Sequence, residues 1–484
     1  MTTTASPPIT IGYRLRWPAL FVVLAAEILD LLDALITSIA GPTIVRDLGG
    51  GETLIQWLTA AYTLAMAGGL LLGGRLGDIY GRRRMFLMAM AGFTALSAAC
   101  ALAQSPGQLV TLRAIQGFVG AMMLPQGLGL IKEMFPPQEV GKAFGMFGPI
   151  MGLSSVGGPI LAGVLVDADV FGWAWRTIFA INIPIGLVAL AVGLRVLPPS
   201  RPNRSLHIET TSAAIAAASM VAIVYPLIQG HELGWPVWCF ALIAAGVAGF
   251  ALLALVERRR ERAGRVTLIV PSLFTKRAFT GGVAAGTALF GSLMGMMIVF
   301  TLLVQVGLGW SPTKAGVAGI PQALGMVVGF IVSQPLMARL GRTVMQIGEA
   351  VAIAGLGGLA MTIRLAGDDL NAWHLAPALA ALGLGFGMTM APYFDIALAG
   401  VEEHESGSAS GVLSSVQQLG GAIGVGALGT LFWHTLAGSG AASPLEGFRT
   451  AATAALLLAA GFMAAALLLT FLLPRRARPD AVGH

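Results

Sequence analysis

An all-α membrane protein that crosses the bilayer many times is the fold class that this sequence predicts, on three observations. Hydrophobic residues make up 56% of the 484 residues and charged residues only 11%, whereas about a quarter of an average soluble domain is charged. Long uncharged runs recur along the whole chain, and about 18 such residues suffice to cross the hydrocarbon core. The 65 glycines let helices in lipid approach one another closely. We therefore expect the lipid bilayer to be the solvent.

The apolar runs are separated by charged or Pro/Gly-rich breaks, and a window of about 19 residues finds about fourteen of them. The predicted spans are 18–42, 53–73, 84–103, 107–131, 141–166, 175–197, 210–229, 235–256, 279–304, 313–337, 343–365, 373–399, 407–433 and 450–473. An even count places both chain ends on the same side of the membrane.

The positions of the basic residues predict the orientation. Of the 29 Lys and Arg residues, 23 fall at the loops and tails on the side of the chain ends. The opposite loops hold five, which are Arg46, Arg176, Lys314, Arg364 and Arg449. Because cytoplasmic loops carry the excess of basic residues, we expect both termini in the cytoplasm of a multi-pass protein of a bacterial inner membrane. The net charge of +6 lies in these loops, so nucleic acid is not an expected partner.

Two polar, basic stretches divide the predicted spans into six, two and six. The predicted units are a cytoplasmic tail at 1–17, a six-helix bundle at 18–197, a linker at 198–209, an inserted helix pair at 210–256, a linker at 257–278, a second six-helix bundle at 279–473 and a cytoplasmic tail at 474–484. The sequence at 338–342 weakly repeats that at 73–78. Similar bundles that rock about a central site are typical of alternating access.

One short segment carries a specific motif. Residues 73–84 read GGRLGDIYGRRR, which resembles the signature loop between two helices of the major facilitator superfamily. Glycine permits a tight turn, and Asp78 can pair with an arginine or a helix N-terminus and so hold one gate state closed. The resemblance assigns the gate role to Gly74, Arg75, Gly77, Asp78, Gly81, Arg82 and Arg83.

Further stretches resemble the fourteen-helix drug/proton antiporter branch of that superfamily. LDALITSIAGP at 32–42 is similar to its first-helix motif, with Asp33 at the membrane acid and Ser38 in place of the usual asparagine. RAIQG at 113–117 resembles the fourth-helix motif with its buried arginine, and WRTIFAINIPIG at 175–186 the start of the sixth helix. The fifth-helix antiporter motif, in which Ala162 replaces a glycine, is matched by Gly152, Gly157, Gly158, Pro159 and Gly163.

Charged residues inside the first span require a reason, because each costs at least roughly 2.5–3.5 kcal/mol in mid-bilayer. Glu27, Asp30 and Asp33 recur every three residues and lie on one helix face. Arg113 is the one basic residue well inside a predicted span, at a depth similar to that of Asp33. We expect Asp33 to exchange the coupling proton under the influence of Arg113. A static ion pair that fixes helix packing is the alternative.

Glu27 and Asp30 are expected to support proton coupling and to attract a cationic substrate, since a carboxylate in a low-dielectric cavity attracts lipophilic cations. Polar lining of a water-filled vestibule is the alternative. Met and aromatic residues suit loose recognition of cations. The predicted cavity residues are Trp57, Met122, Met123, Gln126, Phe290, Met294, Met297, Gln322, Phe386, Tyr393 and Asp395.

The sequence contains no Walker-type, Gly-x-Ser-x-Gly or His-Glu-x-x-His motif. We therefore expect neither catalytic residues, nor a metal, nor a cofactor other than the coupling protons. The expected function is proton-coupled antiport that exports amphipathic or cationic small molecules, by a monomer. A proton symporter or a lipid or peptide exporter on the same scaffold is one alternative, and a membrane receptor or scaffold that transports nothing is another.

Overall fold

The structure of the protein is a computed structural model that describes residues 13–51, 53–136, 139, 142–143, 146–200, 210–265, 267–402, 405–441 and 443–475. Most of the two predicted tails and of the first predicted linker lie outside the described residues. Within the described ranges the secondary structure is helical, with no β-strand.

The described residues of the first half of the chain form eight helices, two of them shorter than 15 residues. They are α1 (Arg16–Leu48), α2 (Leu54–Tyr80), α3 (Arg82–Ala101), α4 (Pro106–Gly120), α5 (Met123–Met134), α6 (Phe147–Asp167), α7 (Arg176–Ala180) and α8 (Asn182–Val196). A pair of longer helices follows, α9 (Thr210–Leu233) and α10 (Val237–Arg262).

The second half contributes α11 (Arg277–Thr301), α12 (Pro312–Ala318), α13 (Ile320–Leu340), α14 (Thr343–Leu365), α15 (Ala372–Ala397), α16 (Ser406–Gly438) and α17 (Pro444–Thr470). A π-helical turn at Leu302–Gly307 extends α11. Three helices start at a Ser-Pro pair, in which the hydroxyl of Ser105, Ser311 or Ser443 accepts a bond from a first-turn amide. Serine is a preferred N-cap, and proline fits the first helical position, where no donor is needed.

Some predicted spans are broken helices. The span predicted at 107–131 is α4 followed by α5, that at 175–197 is α7 followed by α8, and that at 313–337 is α12 followed by α13. The residues at the breaks remain apolar, so a hydropathy window cannot detect them.

Two predicted polar segments are more helical than expected. The predicted gate loop at 73–84 is helical except at Gly81, whose φ of +93° suits a residue without a Cβ. Helix α10 likewise continues to Arg262, inside the linker predicted at 257–278. The reason is physical: a helix satisfies its own backbone hydrogen bonds and continues into water, whereas hydropathy reports only the part that contacts lipid.

Among the described residues, eleven helices are long and apolar enough to cross a membrane, and twelve if the two parts of α2, bent by 50°, form one span. A shorter apolar stretch, Gly157–Asp167, belongs to α6. The structure is thus all-helical with eleven or twelve candidate spans.

The helices of each half pack mainly against one another. In the first half α2 packs on α4 and α1 on α6, while in the second half α15 packs on both α13 and α14, and α11 packs on α16 and α17. The halves meet where α2 contacts α16 and α6 contacts α12. Helix α9 contacts both α2 and α16, so α9 packs across the seam between the halves.

Candidate functional site

A buried ion pair lies in the first half of the molecule. The Asp33 carboxylate on α1 accepts a hydrogen bond from Nη1 of Arg113 on α4, and each side chain is only 1% exposed. Charges so deep are tolerated when they are paired and their remaining donors and acceptors are satisfied. The similar depth inferred from the sequence thus corresponds to a direct contact.

Uncharged polar side chains complete the bonding of this pair. Asn182 donates to Oδ1 of Asp33 at 2.9 Å, and Gln116 donates to the same oxygen at 3.3 Å. Gln116 also accepts from Arg113 at 2.9 Å and donates to the hydroxyl of Ser97 at 2.9 Å. The cluster therefore joins α1, α3, α4 and α8 around one carboxylate.

The guanidinium of Arg113 is also enclosed by aromatic rings. Its Cζ lies 4.2 Å from the ring centre of Tyr62 and 5.6 Å from that of Phe179. Its Nε donates to the backbone oxygen of Leu58 at 3.4 Å. Cation–π contacts strengthen when they are desolvated, so the rings stabilise the charge that Asp33 balances.

The other two carboxyl groups of α1 are arranged differently. The hydroxyl of Tyr62 donates to Oδ1 of Asp30, so one tyrosine contacts both Asp30 and Arg113. Glu27 and Asp30 are half-buried, whereas Asp33 is 2% exposed. The three acids share one helix face, but in this conformation Asp33 lies in a closed polar cluster and not on a cavity wall.

Four residues of this cluster were not among the predicted site residues. Gln116 and Asn182 lie within the motif stretches at 113–117 and 175–186, and that was the available signal. Tyr62 and Ser97 are uncharged polar residues in mostly apolar helices, and nothing in the local sequence separates them from residues that pack helices.

The predicted gate residues form contacts at one end of the first half. Arg82 lies 3.1 Å from Asp78 and 3.5 Å from Glu133. A Cβ at Gly77 would lie 2.6 Å from Cδ of Gln126, so a larger residue there would displace the Gln126 side chain. The backbone amide of Arg83 donates to the hydroxyl of Ser200 at 2.8 Å. These contacts tie α2 and α3 to α5 and to the segment after α8.

Gly74 and Arg75 lie on the last turns of α2. Gly74 is exposed and Arg75 is half-buried. Their predicted gate role stays a prediction.

The residues of the fifth-helix motif lie on α6, where it meets α12 of the other half. A Cβ at Gly163 would lie 2.6 Å from the backbone nitrogen of Thr313, and a Cβ at Gly316 would lie 2.8 Å from the carbonyl carbon of Pro159. Small residues let helix backbones touch. The motif thus provides a close contact between the halves.

The remaining residues of that motif are placed less tightly. Gly158 is buried, while a Cβ at Gly157 would meet open space. Gly152 lies near the start of α6.

Several predicted cavity residues lie in the hydrophobic core instead. Phe290, Phe386 and Tyr393 are fully buried, and Met123 is 1% exposed. Large aromatic side chains have the most apolar area to bury, which explains why they pack between helices. In this conformation these four residues pack between helices, and their predicted place in a substrate cavity stays a prediction.

Trp57 and Gln126, two further predicted cavity residues, have specific hydrogen-bond partners in this conformation. The Trp57 indole donates to Gln229 of α9 at 3.1 Å, so this residue faces the inserted helix pair. The Gln126 amide donates to the backbone oxygen of Gly73 at 2.6 Å, so it supports the gate contacts. Buried amide and indole groups need such partners.

The other predicted cavity residues are not fully buried. Met122, Met294, Met297 and Gln322 are half-buried, and Asp395 near the end of α15 is exposed. No group of three or more His, Cys, Asp or Glu that could hold a metal ion occurs among the described residues.

Two carboxyl groups outside the spans are held ionised by their partners. The Trp175 indole and the Arg176 guanidinium bond Asp47 at 2.8 and 2.6 Å and lower the pKa of that carboxyl. The ammonium of Lys276 and the hydroxyl of Ser272 bond Glu405 and lower its pKa to about 2. Both contacts join segments that are distant in sequence.

The all-helical fold with many apolar spans is that of a polytopic membrane protein, and the family and the relatives that match it are transporters and not enzymes. The model of the Major Facilitator Superfamily matches residues 23–425. The chain belongs to this superfamily.

Similar proteins support this assignment. The chain is 44% identical to a probable actinorhodin transporter of Streptomyces coelicolor, over 93% of this chain and 78% of that one. It is 32% identical to a tetracenomycin C resistance and export protein of Streptomyces glaucescens, over 87% and 77%. Among solved structures, a bacterial homologue of the human lysosomal transporter Spinster, inward-facing and occupied, matches 97% of both chains with a TM-score of 0.67 and 13% identity. That last likeness shows the fold alone.

Proposed function

We propose that this protein exports an amphipathic, antibiotic-like small molecule in exchange for protons. The likeness to a probable actinorhodin transporter and to a tetracenomycin C resistance and export protein supports export of such compounds. The observation that supports proton exchange is the Asp33–Arg113 pair, buried at the meeting of four helices. A multi-pass location in a bacterial plasma membrane accords with export of a small molecule and with proton exchange.

The proposed step is proton binding to Asp33. A proton on this carboxylate removes the countercharge of Arg113 and leaves a buried cation unbalanced, which costs about 3–5 kcal/mol in other buried pairs. That is close to the roughly 5.5 kcal/mol needed to move a two-state equilibrium from 1:99 to 99:1. Protonation of Asp33 therefore favours a conformation in which Arg113 finds another partner or water.

Glu27 and Asp30 form the substrate side of this proposal. Both are half-buried on the face of α1 that carries Asp33, and Tyr62 connects Asp30 to Arg113. A cationic substrate drawn to these carboxylates would disfavour a proton nearby, so substrate and proton would compete.

The topology belongs to the proposal as well. Helices α1 and α6 are long enough to span the bilayer at 1.5 Å per residue, and with the twelve candidate spans they would make fourteen. We propose six helices, an inserted pair and six more, in a monomer with both termini in the cytoplasm. The excess of basic residues at loops on one side supports this orientation.

The test uses purified protein in proteoliposomes loaded with a pH dye, under an imposed pH gradient. Actinorhodin, tetracenomycin C and a set of lipophilic cations are added in turn to wild type, to Asp33→Asn and to Asp369→Asn, an exposed control. We expect substrate-driven proton movement opposite to the substrate in wild type and in the control, and none in Asp33→Asn. Proton and substrate movement in the same direction would mean symport, and no flux with any compound would contradict transport of this class.

A further inference from the structure

A second buried carboxyl group lies in the other half of the molecule. Glu349 is six residues inside α14 and is fully buried. At 1.5 Å per residue it lies about 9 Å from the end of the helix. That end follows the sequence at 338–342, the weak repeat of the gate segment.

The contact of Glu349 with Thr470 of α17 indicates where a proton lies. The hydroxyl oxygen of Thr470 is 3.4 Å from Oε2 of Glu349 and 2.6 Å from the backbone oxygen of Leu467. A threonine hydroxyl has one hydrogen and two acceptor lone pairs. Because the bond to Leu467 is much shorter, the hydroxyl hydrogen belongs there. The contact with Oε2 is then a hydrogen bond only if the carboxyl group supplies the proton.

The second oxygen of Glu349 leads to the same conclusion. Oε1 is buried and has no hydrogen-bond partner among the described residues. An ionised carboxylate needs acceptor bonds at both oxygens or a neighbouring cation. A neutral carboxyl group loses much less when its carbonyl oxygen has no partner.

Charged groups on the surrounding helices do not neutralise Glu349. Helix α14 packs against α15 and α17 and more lightly against α13, and in the described part of the chain no ion pair includes Glu349. Arg339, Arg342, Asp395 and Arg475 lie towards the same end of these helices and are exposed or half-buried. The titratable groups of the opposite end are Arg364, His374, Glu446 and Arg449.

We propose that Glu349 is a second proton-binding site of the transporter, occupied in this conformation and emptied when α14 and α17 separate. On separation, water reaches the carboxyl group, its O–H bond breaks, and the proton passes to water while the carboxylate is hydrated. Proton binding at Glu349 stands on the hydrogen-bond geometry, whereas its use in export rests on the proposed function.

A purely structural role would make a different prediction. A neutral glutamic acid that only fills space between α14 and α17 would keep its proton through every cycle. Substitution of Glu349 would then leave the number of protons moved per substrate unchanged and would affect only helix packing.

Infrared spectroscopy tests the occupancy without any need for transport. The carbonyl band of a protonated carboxyl group is measured at pH 7 in reconstituted wild type, Glu349→Gln, Thr470→Val and Glu446→Gln. Glu446 is an exposed glutamate on α17 and serves as the matched control. We expect loss of intensity only in Glu349→Gln, and a displaced band in Thr470→Val, which keeps the carboxyl group but loses its partner. An unchanged protonated-carboxyl band in Glu349→Gln would overturn the proposal.

Proton counting tests the exchange. Because Gln is neutral in every state, Glu349→Gln should move one proton fewer per substrate than Glu446→Gln while substrate transport persists. An unchanged ratio would refute the exchange and leave a structural role. The two proposals fail separately, since a wild-type protein without proton flux could still show the infrared band, and a missing band could accompany full antiport.

Discussion

The two halves of this molecule bury a carboxyl group in opposite ways. Asp33 lies against Arg113 and accepts bonds from Asn182 and Gln116, so its surroundings favour the charged form. Glu349 has a hydroxyl beside one oxygen and no described partner at the other, so its surroundings favour the neutral form. A buried carboxyl group can therefore be protonated in the second half while a buried carboxyl group in the first half is ionised.

This difference bears on alternating access. When a proton reaches Asp33 the first half loses an ion pair, whereas when a proton leaves Glu349 the second half gains an uncompensated charge. Each event disfavours the packing seen here. Two proton-binding sites, one that favours the ionised form and one that favours the neutral form, would thus couple proton movement to the packing of both halves. A single site would affect the packing of one half only.

The largest effect is expected from removal of the cation. Arg113→Ala leaves Asp33 buried without its countercharge, which should lower the free energy of unfolding by about 3–5 kcal/mol and abolish transport. Thermal unfolding in detergent and flux in proteoliposomes measure the two effects. Arg364→Ala, at an exposed arginine, is the control, and equal stability of the two variants would contradict the importance of the pair.

A smaller effect is expected from the neutral donor of the same cluster. Asn182→Ala removes the 2.9 Å bond to Asp33 and should cost about 1–3 kcal/mol of stability. If Asn182 acts through the Asp33 charge, the cost should shrink in an Asp33→Asn background, as a double-mutant cycle measures. Strict additivity of the two substitutions would show that Asn182 acts independently of Asp33.

The glutamate of the second half should tolerate neutralisation. Glu349→Gln keeps a neutral hydrogen-bonding group of similar size and should change stability by less than about 1 kcal/mol, because no buried charge is removed or exposed. The same unfolding assay applied beside Asp33→Asn compares the halves directly. A loss as large as that of Asp33→Asn would mean that Glu349 is ionised, and the contrast between the halves would disappear.

A pH-dependent effect is expected at a carboxylate outside the membrane. The folded-state pKa of Glu405 is lowered from 4.5 to about 2 by Lys276 and Ser272. A lowered folded-state pKa stabilises the protein above the unfolded value, and this contribution is lost as the pH falls through the folded value. The unfolding temperature of wild type should therefore exceed that of Glu405→Gln above about pH 5 and converge with it towards pH 2. A difference that is constant with pH would assign the effect to packing.

Much of the fold followed from the sequence because lipid imposes a simple rule. The predicted spans at 343–365 and 373–399 differ from α14 and α15 by at most two residues at either end. The sequence did not predict the helix breaks or the charged helix ends, such as the turn at Gly81 and the last turns of α10. Hydropathy does not report backbone hydrogen bonding, which determines where a helix breaks or ends.

The sequence predicted residues of the ion-pair cluster only where a charged residue occurs inside an apolar span. Asp33 and Arg113 stand out because each is costly inside a span, whereas Tyr62 and Ser97 are too common in helices to carry a signal. Glu349 was missed although the same signal, a carboxyl group within the predicted span at 343–365, was available. The cavity residues stay a prediction, since aromatic residues such as Phe386 and Tyr393 suit helix packing as well as they would suit substrate binding.

The most direct test of proton exchange at Asp33 is whether protons and substrate compete for binding. The affinity of purified protein in detergent for actinorhodin, tetracenomycin C or a lipophilic cation is measured over a range of pH for wild type, Asp33→Asn and the exposed control Asp369→Asn. We predict that the affinity of wild type and of the control falls as the pH falls and protonates Asp33, and that the affinity of Asp33→Asn depends much less on pH. An equal pH dependence in Asp33→Asn and wild type would contradict proton exchange at Asp33.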